Sequence, residues 1–254
     1  MKAVILAGGL GTRLKPFTEV IPKPLLPLGE KSLLEVQIER LKECGFDEIY
    51  LAVNYKAKYI QSYLGDGSEY GVKIFYSIEE KPLGTCGPVK LLEDHLNEPF
   101  LLMNGDILTK TDFRSVLEFA LKYNDSPLTI VTKIITTPFR FGNIESVGDY
   151  ITRVDEKPEL KFEILAGMYI LKPEVFKYIP HDTYFGIDDL IKRLLEDDIP
   201  VTKYLTKEYW LDMGVVEDYE EAKKVGLTML GDNGYTEHTY RCVCPEANLI
   251  LFHR

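Results

Sequence analysis

The order of apolar segments predicts an α/β fold: a mixed, mostly parallel sheet flanked by helices, with a strand-rich half after about residue 125. Three observations carry this expectation. Short apolar runs alternate with helical patterns as far as Met103, a glycine-rich loop follows the first predicted strand, and later strands are broken by turns such as Gly148-Asp149. Strands that alternate with helices pair in parallel, because a parallel neighbour needs a crossover and the helix supplies it.

In chain order, strand runs are read at Lys2 to Ala7, Glu48 to Val53, Val72 to Tyr76 and Phe100 to Met103. Helical patterns lie between them at 33 to 43 and about 56 to 64. The first helix is the clearest, since Ser32 and Glu35 have capping-box spacing while Leu34, Ile38 and Leu41 share one face. Four more strands are expected at 128 to 135, 142 to 147, 150 to 154 and 167 to 171. Helices return near 186 to 195 and 216 to 227, the last supported by Glu220 and Lys224 one turn apart.

A chain of 254 residues is long enough for one substantial domain. We expect it over 1–227, with a tail at 228–254 whose glycines and proline leave its structure open. The net charge of -10 argues against a sequence-independent grip on nucleic acid. No apolar run approaches the roughly 20 residues that span a bilayer, and no cleavable leader is evident, so neither nucleic acid nor membrane is expected as a partner. The expected address is cytoplasmic, with Cys44, Cys86, Cys242 and Cys244 as reduced thiols. His238, Cys242, Cys244 and His253 are soft ligands, but Cys-x-Cys lacks the usual second pair, and no zinc site is expected there. Asp188-Asp189 and Glu196-Asp197-Asp198 read as solvated helix faces and ends.

The strongest local signal is Leu6-Ala7-Gly8-Gly9-Leu10-Gly11-Thr12-Arg13-Leu14. In Rossmann-like sheets ligands gather at the carboxyl ends of strands, where glycines let backbone N–H groups approach phosphates. A dinucleotide fingerprint fails because Leu14 stands where a small residue is needed, and a Walker loop fails because Gly11-Thr12-Arg13 is not Gly-Lys-Ser/Thr. What remains is a long loop stiffened by glycine and proline that carries two cations, Arg13 and Lys23, suited to a triphosphate.

The stretch from Gly8 to Pro24, GGLGTRLKPFTEVIPKP, resembles the opening motif of the sugar-1-phosphate nucleotidyltransferases, and the resemblance runs over roughly residues 1 to 225. Its details are most similar to the guanylyltransferase branch that acts on mannose 1-phosphate. The resemblance implies nucleotide contacts from Leu6, Ala7, Gly8, Gly9, Gly11, Thr12 and Arg13. It adds Gly84, Thr85 and Gly87 in the second glycine loop, Pro82 to Pro88, and Asn104 and Gly105 beside Asp106. Relatives usually carry Ala at the place of Cys86, here read as a small apolar filler.

Asp106 ends the apolar strand Phe100 to Met103, and Asp212 lies in Trp210-Leu211-Asp212-Met213-Gly214, which is similar to the family's W-x-D-x-G motif. An aspartate after a strand is often a turn residue, and one before a helix is often a cap. The resemblance implies instead that both ligate Mg²⁺, and that with Arg13 and Lys23 they form the catalytic set. It assigns sugar binding to Gly142, Glu156, Lys157, Ala166, Gly167 and Trp210. Phe141 and Asn143 depart from the family's usual Tyr and Val, which leaves the identity of the sugar open.

The expected reaction is transfer of a nucleoside monophosphate from a nucleoside triphosphate to a sugar 1-phosphate, with release of pyrophosphate. GTP with mannose 1-phosphate or a related hexose or heptose 1-phosphate is the expected pair. A UTP- or CTP-dependent enzyme acting on glucose 1-phosphate, and a non-catalytic nucleotide-sugar sensor, are the alternatives. A sugar phosphate is already largely dianionic at neutral pH, so no side-chain nucleophile is required. A homo-oligomer is left open.

Overall fold

The computed structural model describes residues 1–229. The tail beyond them, with His238, Cys242, Cys244 and His253, lies outside the described residues.

The chain opens with β1 (Lys2–Leu6), which runs into the glycine loop. The loop continues through α1 (Phe17–Val20), and a small hairpin of β2 (Pro27–Leu28) and β3 (Lys31–Ser32) leads to α2 (Leu33–Glu43). The predicted capping box is present: Ser32 Oγ accepts the Glu35 N–H, and Glu35 returns a carboxylate oxygen to the Ser32 N–H at 2.6 Å. β4 (Glu48–Val53), α3 (Ala57–Leu64), β5 (Lys73–Ile78), α4 (Gly87–Lys90), β6 (Phe100–Asn104) and β7 (Ile107–Thr109) complete the first half.

The second half begins with a helix that the strand reading passed over, α5 (Phe113–Ala120). Asp112 caps it, and Phe113, Val116, Leu117 and Ala120 bury one face. β8 (Leu128–Pro138), β9 (Asn143–Val147), β10 (Tyr150–Asp155) and β11 (Glu159–Leu171) follow. The strand expected at 167 to 171 is therefore the last part of a longer one. Leu160, Phe162 and Ile164 alternate with charged residues, a half-solvated strand pattern that extends β11 back to Glu159. α6 (Ile187–Glu196), β12 (Val201–Leu205), β13 (Trp210–Asp212) and α7 (Val216–Met229) close the described chain; β12 was not expected, nor were the short α1, β2, β3 and β7 of the first half.

Seven strands form one sheet in the order β12-β8-β11-β6-β1-β4-β5. Every neighbouring pair is parallel except the two that β11 makes with β6 and β8. Successive side chains of a strand point to opposite faces, and both faces of this sheet are covered. Ala3 and Ile5 join Leu34, Ile38 and Ile60 in one core, whereas Val4 joins Leu190, Leu194 and Phe176 in the other. A fully buried Leu or Ile contributes about 1.5–3 kcal/mol, so these two layers dominate the stability. A third cluster of Leu14, Leu28, Leu33, Met213, Tyr219 and Ala222 ties the glycine loop to β13 and α7. Among the described residues no helix is long and apolar enough to cross a membrane.

Candidate active site

The site lies where the loops after β1, β4, β5 and β6 meet at the carboxyl end of the sheet. Gly11 turns the first loop at φ 61°, and a β-carbon there would stand 2.7 Å from Thr18 Cγ2. The Thr18 hydroxyl donates to the Gly11 carbonyl at 2.8 Å, which holds the turn from inside. Thr12 and Arg13 follow on an exposed one-turn 3₁₀ helix, and Arg13 makes no hydrogen bond or ion pair among the described residues.

The same loop delivers Lys23 to the end of β6. Its ammonium donates to Asp106 Oδ2 at 2.5 Å, with the lysine side chain 9% and the aspartate 28% exposed. Asp106 stands on a tight turn in which the Gly105 N–H donates to the Leu6 carbonyl and the Met213 N–H donates to the Asp106 carbonyl. A β-carbon at Gly105 would come within 2.6 Å of that Leu6 oxygen, so the turn can pass this close to β1 only with glycine.

Asp212, 106 residues further along the chain, reaches the same place because β13 pairs antiparallel with β7, setting Asp212 opposite Ile107. It does not cap α7; Asp218 Oδ2 accepts the Gly214 and Val215 N–H groups instead. Asp212 Oδ1 is buried without a hydrogen-bond partner among the described residues. Burial first, and the charge of Asp106 second, raise its carboxyl pKa above the ordinary carboxylate value, while Lys23 and Arg13 act in the opposite sense. An orphaned buried oxygen beside a second carboxylate is the hard oxygen donor set that suits a divalent cation completed by phosphate and water.

A cleft of about 410 Å³ opens beside Asp106, with Gly8, Gly9, Gly84, Thr85 and Asn104 on its walls. Of the expected nucleotide contacts, Ala7, Gly11, Thr12, Arg13 and Gly105 are not on its walls, and neither is Gly87. It is buried, and its N–H is donated to the Phe185 carbonyl. The Thr85 hydroxyl accepts the Ile187 N–H, so this second loop is fastened to the start of α6. Cys86 is fully buried behind it, and burial pushes its thiol pKa far up, as befits a packing group.

The residues expected to meet the sugar divide into two groups. Trp210 Nε1 donates to the Ala166 carbonyl at 2.8 Å, and a β-carbon on Gly167 would stand 2.8 Å from Asn104 Nδ2, so this trio adjoins the aspartates. Gly142, Glu156 and Lys157 gather at the root of the exposed β9–β10 ribbon, where a β-carbon on Gly142 would stand 3.0 Å from Glu156 Oε2. Glu156 and Lys157 make no hydrogen bond or ion pair among the described residues, and none of the three lines the cleft.

Asn54 and Glu79 also line the cleft, and the motif reading did not select them. Each directly follows a strand, Asn54 after β4 and Glu79 after β5. The carboxyl-end rule that singles out Asp106 applies equally to both.

A glycine-lined cleft at the switch between parallel strands, with Asp106 on its wall and Lys23, Arg13 and Asp212 as the charges around that carboxylate, defines a phosphate-handling α/β protein. The profile of the nucleotidyl transferase family matches residues 2–228, and the chain belongs to that family. A second profile, of YhzD-like proteins, matches residues 215–254. The chain is 35% identical to mannose-1-phosphate guanyltransferase of Saccharomyces cerevisiae, over 98% of its own length and 70% of the relative's. It is 38% identical to the same-named protein of Pichia angusta, over 86% of this chain and 62% of that one. The crystal structure of HddC from Yersinia pseudotuberculosis superposes with a TM-score of 0.70 at 32% identity, covering 88% of this chain and 98% of that one. A second structure of HddC, complexed with GMP-PN, gives 0.69 at 31% identity over the same shares.

Proposed function

We propose that the chain transfers GMP from GTP to mannose 1-phosphate or a related hexose or heptose 1-phosphate, releasing pyrophosphate, and that residues 1–227 form the catalytic unit. The observation that carries this reading is the meeting of Asp106, on the wall of the cleft, with Lys23 and with Asp212, one of whose buried oxygens has no hydrogen-bond partner among the described residues. The names of the relatives favour GTP and mannose 1-phosphate.

The reaction is a displacement at the α-phosphorus. A phosphate oxygen of the sugar phosphate forms the new P–O bond, the bond to the α–β bridging oxygen breaks, and its electron pair leaves with pyrophosphate. Two anions must approach, so the chain's task is charge neutralisation and alignment. Gly8 and Gly9 let the triphosphate lie against backbone N–H groups, and Arg13, without a hydrogen bond or ion pair among the described residues, supplies a fork for its outer phosphates. Lys23, held at Asp106, presents its charge toward the α-phosphate and the incoming sugar phosphate. Asp106 and Asp212 would hold Mg²⁺, which when bound offsets charge on the phosphates. No side chain need become covalently attached. The sensor alternative is disfavoured because binding alone does not call for both carboxylates and both cations together.

Glu79 supports guanine as the base. Its Oε2 accepts the Leu83 N–H at 3.0 Å, while Oε1 has no hydrogen-bond partner among the described residues and lies close to Gly8, 3.3 Å from where a β-carbon on that residue would stand. Burial raises its carboxyl pKa, so the group gains from donors. Guanine presents N1–H and an N2 amine side by side, whereas the matching edges of uracil and cytosine include acceptors that a carboxylate repels. Glu79→Gln is expected to lower kcat/KM for GTP by about 10–100-fold and for UTP by less. Equal losses for both would remove Glu79 from base selection.

Four nucleoside triphosphates assayed against several sugar 1-phosphates for pyrophosphate release test the whole reading. The fastest release is expected with GTP and mannose 1-phosphate. A preference for UTP with glucose 1-phosphate would replace the substrate pair, and release with no combination would overturn the reaction itself.

A further inference from the structure

Gln37 is an unusual residue for its place. It sits on the inner side of α2 among Leu33, Leu34, Ile38 and Leu41 and is 3% exposed. A leucine or methionine there would continue the apolar face, and the amide instead carries a cost, because its Oε1 is buried without a partner among the described residues. Its Nε2 explains the arrangement. The two amide protons are donated to the Asn104 carbonyl at 3.1 Å and the Ile107 carbonyl at 2.8 Å, the residues on either side of Gly105-Asp106. Both acceptors are carbonyls, so the NH₂ end must face them and the oxygen must point away.

We propose that Gln37 is a positioning residue that sets the Asp106 carboxylate for the divalent ion by bridging both ends of the turn that carries it. The inference rests on the reading above that Asp106 and Asp212 hold that ion. Among the described residues the backbone of the turn is otherwise held by Gly105 on Leu6 and by Asp106 on Met213, while Lys23 pairs with the Asp106 carboxylate itself. Gln37 reaches the turn from α2, and its single planar group joins the carbonyls at both of its ends. Rotation of the turn would carry Asp106 away from Asp212, and the bridge opposes that rotation. Groups that orient a metal ligand from behind alter metal affinity about 10–100-fold when removed.

The test uses Gln37→Met, which conserves volume in a buried helix position, with Gln37→Glu as a second variant that keeps the shape but not the paired donors. Mn²⁺ binding is followed by its EPR signal in the presence of a non-hydrolysable GTP analogue, alongside nucleotide binding without metal and the thermal midpoint. Both variants are expected to bind Mn²⁺ about 10-fold or more weakly, with metal-free nucleotide affinity within about twofold of the parent. The parent's Mn²⁺ affinity retained in either folded variant, whatever the shift in midpoint, would overturn the positioning role and leave the proposed reaction standing. Failure of the parent protein both to bind Mn²⁺ and to release pyrophosphate would overturn the two together.

Discussion

Asparagine in place of either Asp106 or Asp212 is expected to cut turnover by about 10³-fold while shifting the stability of the two proteins in opposite directions. The common loss follows from removing one of the two carboxylates assigned to the ion. The opposed shifts follow from their surroundings. Asp106 pairs with Lys23, whose side chain is 9% exposed, and Asp106→Asn would leave a buried ammonium without its ion-pair partner. Because Asp106 itself is partly solvated, the penalty is set near 1–3 kcal/mol, below that of a fully buried pair, and the thermal midpoint should fall by several degrees.

Asp212 is in the reverse situation. Its Oδ1 has no hydrogen-bond partner among the described residues, and burial followed by the charge of Asp106 raises its pKa. A carboxyl whose folded pKa exceeds its unfolded value binds its proton more tightly when folded. Its contribution therefore favours the fold at low pH and is lost as pH rises through the folded-state value. Asp212→Asn removes that charge, so the metal-free variant should melt higher at neutral pH, by on the order of 1 kcal/mol, and lack this pH dependence. Steady-state pyrophosphate release with calorimetric midpoints at two pH values checks both statements. Near-parental turnover in either variant would refute the metal assignment, and a lower midpoint for Asp212→Asn would refute the electrostatic account.

Lys23→Ala should lower kcat by about 10²–10³-fold with a smaller change in KM, because its charge counts most when negative charge gathers around the α-phosphorus. Lys23→Arg should not restore the rate: a planar, longer guanidinium does not fit a cavity shaped for an ammonium that reaches Asp106 at 2.5 Å. A change limited to thermal stability, with single-turnover rates intact, would place Lys23 outside the chemistry.

Much of the fold was legible because apolar spacing reports it directly. Leu34, Ile38 and Leu41 marked α2, and Ser32 with Glu35 marked its start. Two of the segments passed over have half-solvated patterns: β12 has only 5 partly exposed residues, and the early part of β11 shows its apolar side chains to solvent. α5 is as long as α3 and has a clear apolar face, and the strand-rich reading of this half passed over it. In the site, glycine, arginine, lysine and aspartate at strand ends were readable as phosphate chemistry. Asn54 and Glu79 obey the same placement rule, but neither belongs to a motif. Gln37 was invisible, because a glutamine on a helix is ordinarily a surface residue and only its carbonyl partners show otherwise.

The residues alone determined which segments become strands and helices, since local propensity and periodicity act over a few neighbours, and they determined which chemical groups the loops carry. Only the tertiary structure decided which of those groups meet. Asp106 and Asp212 are brought together by the pairing of β13 with β7 and by the packing of α7 on the glycine loop, contacts between segments about a hundred residues or more apart. Such contacts depend on burial and strand register across the whole molecule, which no local stretch of sequence encodes. The same global packing left Gly142, Glu156 and Lys157 on an exposed ribbon while drawing Ala166, Gly167 and Trp210 in beside the aspartates.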